Sequence, residues 1–254
     1  MSDAIRIFMH SFGMVFRDLG ATLRATYVGV VMIVVGVVAL LVILPDQFGG
    51  LMSQSADMTV TADMNLAGMF VGFFLIAIGY LTMIAAWHRY VLLAADQREG
   101  GFTPSAGIVI GYLGRSILLG LLIGILAIPV LIPVGIVGTA TGSVLAGSIV
   151  AVPLFALLGW VLFRLSLILP ACTIGHKMTL KESWQATAPY ARTILGIVVL
   201  LVLINFGFEL VTGALPLTSI IGGLISVVVS VLYALVSASI LTTMYGVAVE
   251  GREI

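Results

Sequence analysis

Two arginines at the ends of apolar segments are the residues whose chemistry could serve a ligand. Arg89 closes an apolar run that begins at Leu66, and Arg164 closes one that begins near Ser148. The planar guanidinium suits bidentate binding of a phosphate. The helical distance from Ser148 to Arg164 is about 24 Å, which places Arg164 near a headgroup layer. It is therefore either a topology anchor or a ligand for lipid phosphate, with Arg89 as its counterpart.

Other groups that commonly carry catalysis are scattered. His10, His88 and His176 do not share metal-ligand spacing, and no cysteine or carboxylate cluster joins them. Cys172 is the single cysteine. The sequence contains no P-loop, nucleophile elbow, zincin or dinucleotide-binding motif. We therefore expect no enzyme activity, no metal and no cofactor.

The composition indicates a protein of the lipid bilayer. Of 254 residues, 61% are hydrophobic and 9% are charged, whereas an average soluble domain has about 25% charged residues. The mean hydropathy is +1.25. These values exclude an ordinary soluble domain and a disordered chain. A net charge of zero and the lack of a basic run argue against a nucleic-acid partner.

Six apolar segments are long enough to cross a bilayer as helices, since about 20 apolar helical residues span its core. They cover residues 27–44, 66–87, 117–137, 148–167, 193–211 and 220–247. We predict an all-α, six-span fold that forms one domain over residues 1–254. Within it, residues 1–24 are expected to form an interfacial amphipathic helix and residues 25–254 the membrane core.

The charges of the connections predict the orientation. Residues 45–65 contain three aspartates and no basic residue, and residues 138–147 and 212–219 contain no charge. All 11 basic residues lie on the opposite side. By the positive-inside rule, both termini are expected to face the cytoplasm. We expect the membrane to be the bacterial inner membrane.

Three stretches on the cytoplasmic side are predicted to form interfacial elbow helices. The second begins at Thr103-Pro104, an N-cap followed by proline at the first helical position. The third begins at Thr179, where Glu182 completes a possible capping box. The first covers residues 3–24 and carries an apolar helix face, which consists of Ile5, Phe8, Met9, Phe12, Val15, Phe16 and Leu19.

Each elbow stretch ends in a similar short sequence motif before the next span. An arginine is followed within two positions by a small hydroxyl residue, and these arginines are Arg24, Arg115 and Arg192. This spacing predicts a threefold repeat of an elbow helix and a helical hairpin.

A short phrase near the fourth span carries a family resemblance. Residues 163–171 have the sequence FRLSLILPA, and Lys181-Glu182-Ser183-Trp184 follows. The chain resembles the six-span membrane domain attached to some bacterial glycerophosphodiester phosphodiesterases, together with its stand-alone relatives. The resemblance covers the six-span layout and, more specifically, residues 160–195. The catalytic barrel of those enzymes is absent here, so the resemblance implies no catalytic activity and no active-site residue.

Basic residues along the elbows are the candidate ligands for lipid headgroups. A cationic inner surface suits anionic lipid. We therefore predict a non-catalytic membrane protein with a lipid-interacting or membrane-organising role. The candidate residues are Arg24, Arg89, Arg115, Arg164, Lys177, Lys181 and Arg192.

Small residues in the sixth span support an alternative, an accessory or assembly subunit of a membrane complex. They recur at every fourth position and allow close helix contact, either internally or with a partner protein. Gly120 and Gly124 form a shorter version in the third span. The ridge of the sixth span consists of Gly222, Ser226, Ser230, Ala234 and Ala238.

Prolines support a second alternative, a permease for a small solute or lipid. Pro129, Pro133 and Pro153 lie within predicted spans, where prolines kink helices and free carbonyls to line a cavity. Asn205 and Glu209 share a helix face in the fifth span. A proton path would need a second acidic residue in another span, and the predicted spans contain none.

Overall fold

A computed structural model describes residues 3–43, 65–93, 103–214 and 220–253. These residues form helices without a strand. Most of residues 45–65, and residues 215–219, lie outside the described part, and so do the side chains of Gly222 and Glu209. The helices are α1 (Asp3–Phe16), α2 (Leu19–Ile43), α3 (Leu66–Leu92), α4 (Ala106–Thr141), α5 (Val144–Leu165), α6 (Ile168–Thr173), α7 (Leu180–Ala186), a 3-10 turn (Ala188–Tyr190), α8 (Ala191–Ala214) and α9 (Ile220–Ala248).

The predicted all-α fold with six spans is confirmed. In the described part of the chain, six helical segments are long and apolar enough to cross a membrane. Helices of this kind support a membrane location and a multi-pass topology. The segments are Leu19–Ile43, Leu66–Leu92, Ala106–Thr141, Ile149–Thr173, Ala188–Asn205 and Leu224–Ala248.

The chain divides into two compact units. One consists of Met1–Phe12, Ile110–Gly207 and Ile240–Ile254. The other consists of Gly13–Val109 and Phe208–Ser239. We call them the Arg164 unit and the hairpin unit.

Helices α2 and α3 form the antiparallel hairpin of the hairpin unit, and glycines set their separation. A Cβ at Gly29 would lie 2.5 Å from the carbonyl oxygen of Gly79 and 2.5 Å from the backbone nitrogen of Met83. A Cβ at Gly36 would lie 2.8 Å from the carbonyl oxygen of Gly72. Side chains larger than hydrogen therefore do not fit, and the two backbones approach as closely as small residues permit.

Two hydrogen bonds connect α3 to the first part of α9 in the same unit. The indole N–H of Trp87 donates to Ser239 Oγ at 2.8 Å, and both residues are fully buried. Tyr80 hydrogen-bonds Ser230. Ser230 belongs to the predicted ridge, whose other described members are the half-buried Ser226 and Ala234 and the buried Ala238. Ser230 itself is exposed, so its hydrogen bond to Tyr80 leaves it at the surface of the unit.

Helix α4 differs from the prediction in two ways. It begins at Ala106, since the Ser105 carbonyl accepts the N–H groups of Ile108 and Val109. The predicted start at Thr103-Pro104 is therefore wrong by two residues, and the second elbow stretch is continuous with its span. A Cβ at Gly120 or Gly124 would meet no described atom within 4 Å, so these glycines make no close contact with the described part of the chain.

The first elbow stretch is not one helix. Helix α1 ends at Phe16 and α2 begins at Leu19, so Arg24 lies in α2. The carboxylate of Asp18 accepts the Ala21 N–H at 2.8 Å, which is the geometry of an N-cap. This cap starts a new helix and separates the amphipathic part from the span.

Candidate functional site

The polypeptide around Arg164 brings the end of one helix against the short helix of the third elbow stretch. Helix α5 ends at Leu165, and its Ser166 cap donates its N–H to the Phe163 carbonyl at 3.2 Å. Helix α7 begins with the predicted capping box, which is confirmed. The Glu182 N–H donates to Thr179 Oγ1 at 3.2 Å, and the Thr179 N–H donates to Glu182 Oε2 at 2.7 Å.

The Arg164 side chain is buried and binds the end of α7. Only 5% of the residue is exposed. Its Nε donates to Thr187 Oγ1 at 3.2 Å, and its Nη2 donates to the Trp184 carbonyl at 2.8 Å. The predicted anchor therefore has specific partners within the protein.

The backbone of Arg164 makes a reciprocal contact. Ser183 Oγ donates to the Arg164 carbonyl at 2.7 Å. Thr187 Oγ1 also lies 2.8 Å from the Ser183 carbonyl. Ser183 and Thr187 are fully buried. Side chain and main chain of Arg164 together hold α7 against α5.

Two tryptophans pack on the guanidinium. The Arg164 Cζ lies 3.5 Å from the ring centroid of Trp184 and 4.9 Å from that of Trp160. The two rings meet edge to face, with centroids 5.6 Å apart. Trp160 is fixed because its indole N–H donates to the Ala191 carbonyl at 2.8 Å. Such cation–π contacts contribute about 2 kcal/mol when desolvated. We call Arg164, Trp160, Trp184, Ser183 and Thr187 the Arg164 site.

The charge of this site is not balanced by the described residues. Among them, no carboxylate forms an ion pair with Arg164, whereas Arg6 pairs with Asp3 and Arg252 pairs with Glu250. A guanidinium has five N–H donors, and described acceptors take one from Nε and one from Nη2. The remaining donors suit an anionic oxygen acceptor.

The other predicted headgroup ligands are distributed over both units. Arg24 and Arg89 belong to the hairpin unit. Arg115 is half-buried, donates to the Gly111 carbonyl of its own helix at 3.1 Å and lies within hydrogen-bonding reach of the Cys172 thiol. The remaining predicted ligands are exposed, namely Lys177, Lys181 and Arg192.

The three histidines lie in different environments. His176 Nδ1 lies 2.7 Å from the Tyr245 hydroxyl, whereas His88 is fully buried in α3. His10 is exposed on α1. Within the described ranges, no group of three or more His, Cys, Asp or Glu side chains could hold a metal ion.

Sequence reasoning identified Arg164 but missed part of its surroundings. Trp160 precedes Arg164 by one helical turn, and Ser183 precedes Thr187 by the same spacing. Residues four apart share a helix face, so each pair could have been recognised as a unit. Nothing local indicates that the two pairs meet.

Comparison of the chain with protein-family models, with curated proteins and with solved structures finds no match. Function is therefore inferred from the geometry of the site.

The capping box of α7 predicts a pH dependence. Hydrogen bonds from the Thr179 backbone and hydroxyl hold the pKa of Glu182 below its ordinary value. Because the folded pKa is depressed, the stabilisation is present above the unfolded pKa of about 4.3 and is lost as pH falls through the folded pKa. We expect Glu182→Ala to lower the Tm at neutral pH.

The Tm of both proteins is measured as a function of pH, with Glu253→Ala as an exposed carboxylate control. The difference between the parent and Glu182→Ala should shrink in acid. A difference that stays constant into strong acid would contradict a stabilising role of the ionised carboxylate.

Proposed function

We propose that this protein is a non-catalytic multi-pass protein of the bacterial inner membrane that binds the phosphate of an anionic lipid at the Arg164 site. The six apolar helices support the membrane location. The one-sided distribution of basic residues supports cytoplasmic termini. Residues 163–171 and 181–184 support membership in the six-span family that they resemble.

The observation that carries the proposal is a buried guanidinium whose described partners are all uncharged. Burial of an unpaired charge is unfavourable, and a phosphate would offset that cost. Two N–H groups of a guanidinium can bind two phosphate oxygens side by side. The site therefore provides a positive charge and a pair of N–H donors that both suit a phosphate.

The level of the site in the membrane agrees with a headgroup ligand. Arg164 bonds Trp184 and Thr187, and the apolar segment Ala188–Asn205, which leads through the 3-10 turn into α8, begins directly afterwards. The guanidinium thus lies where that segment enters the bilayer. Tryptophans such as Trp184, which is 36% exposed, favour this boundary.

The two alternative functions gain no specific support. An assembly subunit would use the ridge of α9, where Ser230 is exposed but hydrogen-bonded to Tyr80 and Ala238 is buried. A permease would use the carbonyls that Pro129 and Pro133 free inside the continuous helix α4, and neither proline belongs to the Arg164 site. The lipid-interacting role is the function that the geometry favours.

The test compares how lipid stabilises the parent and two arginine variants. Phosphatidylglycerol, phosphatidylcholine or inorganic phosphate is added to the protein in detergent, and Tm is recorded. Saturation at 100 times Kd adds about 2.7 kcal/mol, which raises the Tm of a chain of this size by about 5–10 °C. Arg164→Gln should lose the phosphatidylglycerol effect.

Arg192→Gln is the matched control, because Arg192 is also a predicted headgroup ligand but is exposed at the start of α8 and does not belong to the Arg164 site. It should keep the full effect of phosphatidylglycerol. An undiminished effect in Arg164→Gln would overturn the proposal. An equal effect of inorganic phosphate would assign the site to a soluble anion instead of a lipid.

A further inference from the structure

Helix α1 has three distinct faces, although the sequence predicts two. One face is buried and consists of Ala4, Ile7, Ser11 and Val15, with at most 6% of each residue exposed. Val15 therefore leaves the predicted apolar face and joins this buried face. The reason is that α1 packs on its own protein along one side.

The buried face of α1 is held by two specific contacts within the Arg164 unit. Ser11 Oγ lies 3.0 Å from Thr243 Oγ1 of α9, and this hydrogen bond is buried. A Cβ at Gly196 of α8 would lie 2.9 Å from the Cβ of Ala4. Close packing against two membrane-spanning helices fixes the rotation of α1 about its axis.

That rotation presents an apolar face away from the protein. Ile5 is 39% exposed, Met9 is 55% exposed and Phe12 is 42% exposed. The rings of Phe8 and Phe12 stack with centroids 6.3 Å apart. We call Ile5, Phe8, Met9 and Phe12 the α1 stripe. Exposed apolar side chains in such a row mark an interaction surface.

The third face of α1 is polar. Arg6 and His10 are exposed on it, and Arg6 lies 3.7 Å from Asp3. At about 100° per residue, this face adjoins the α1 stripe. A helix with adjoining apolar and basic faces is typical of one that lies in the plane of a membrane surface.

The contacts of α1 also indicate how deep this helix lies in the membrane boundary. Thr243 lies five residues before Ala248, which ends both α9 and its apolar segment. At 1.5 Å per residue, this contact is about 7.5 Å inside that end. Interfacial helices bury their apolar face about 5–10 Å into the boundary between headgroups and acyl chains. The two depths agree.

We infer that the α1 stripe is inserted among lipid acyl chains at the membrane boundary, with Arg6 and His10 among the headgroups. The partner of this surface is the bilayer, and anionic lipid complements the adjoining basic side chains. The inference does not depend on a ligand at Arg164, because no residue of the α1 stripe or of its basic face belongs to the Arg164 site.

Spin labels at two neighbouring positions test the depth directly. Met9→Cys and His10→Cys are made with Cys172→Ser, labelled with a nitroxide and reconstituted into vesicles of phosphatidylethanolamine and phosphatidylglycerol. Oxygen concentrates among acyl chains, whereas a nickel chelate stays in water. The label at position 9 should be relaxed more by oxygen than by the chelate, and the label at position 10 should show the reverse order.

Two results would overturn the inference. A label at position 9 that the chelate reaches as readily as position 10 would place the α1 stripe in water. A label at position 9 that neither reagent reaches would mean that protein covers the stripe. Each variant must match the parent in circular dichroism; if Met9→Cys does not, Ile5→Cys on the same stripe replaces it.

Discussion

Substitution of Gly29 by alanine is expected to destabilise the α2–α3 hairpin by about 2 kcal/mol. The added Cβ would lie 2.5 Å from backbone atoms of Gly79 and Met83. Backbone atoms cannot move aside as a flexible side chain would, so the helices must separate along the whole interface. Alanine favours a helix over glycine by about 1 kcal/mol, and the steric cost outweighs this gain.

Gly124→Ala is the matched control, because a Cβ there meets no described atom within 4 Å. It should be neutral or slightly stabilising. Thermal unfolding in one detergent, followed by circular dichroism, compares the two variants. If Gly29→Ala were as stable as Gly124→Ala, the close approach of α2 and α3 would be wrong.

Substitution of Arg164 by methionine is expected to loosen α7 from α5 and to lower stability by about 2–3 kcal/mol. The change removes hydrogen bonds to Trp184 and Thr187 and the contacts with both tryptophan rings. Relief from burying the charge offsets part of the loss. Amide hydrogen exchange should accelerate most in Ser183 to Thr187.

The control for this change is Arg192→Met, since Arg192 is exposed on α8. Its exchange rates in α7 should match those of the parent. Unchanged protection of Ser183 and Thr187 in Arg164→Met would show that the arginine does not hold α7. This measurement is made in detergent without added lipid, so it reports the internal contacts alone.

The spans could be predicted from sequence because crossing a bilayer requires long apolar helices, and such runs are visible in composition alone. Helix boundaries were harder to predict than the spans, because each boundary depends on a single capping residue. The capping box at Thr179 was recognised, because both of its members are local. The Asp18 cap that divides residues 3–24 was missed, although an aspartate before an apolar run is a known start signal.

Contacts between helices were harder to predict. Glycines seven residues apart hold the hairpin together, Gly29 and Gly36 in α2 and Gly72 and Gly79 in α3, but this contact was not predicted from the sequence. Gly120 and Gly124 fit a familiar packing motif and yet contact nothing described. A small-residue pattern indicates that a helix can approach another helix closely. It does not predict which face of the helix is covered by a neighbour.

The Arg164 site likewise combines a residue that the sequence indicates with partners that only the tertiary fold brings to it. The sequence indicates Arg164 because a charge near a membrane boundary is unfavourable without a partner or an anchoring role, and it predicts either a topology anchor or a phosphate ligand. Trp184 and Thr187 join it only through the packing of α5 against α7 and the following turn, across 20 or more residues of sequence. Hydrogen-bond partners at such separations follow from the tertiary fold and not from local spacing.

Native mass spectrometry of the protein released from its own membrane in mild detergent tests the central claim most directly. The parent and Arg192→Gln should retain a defined number of anionic phospholipids, and Arg164→Gln should retain one fewer. A stoichiometric second polypeptide in place of lipid would favour an assembly subunit. Identical lipid retention in all three proteins would contradict a lipid-phosphate site at Arg164.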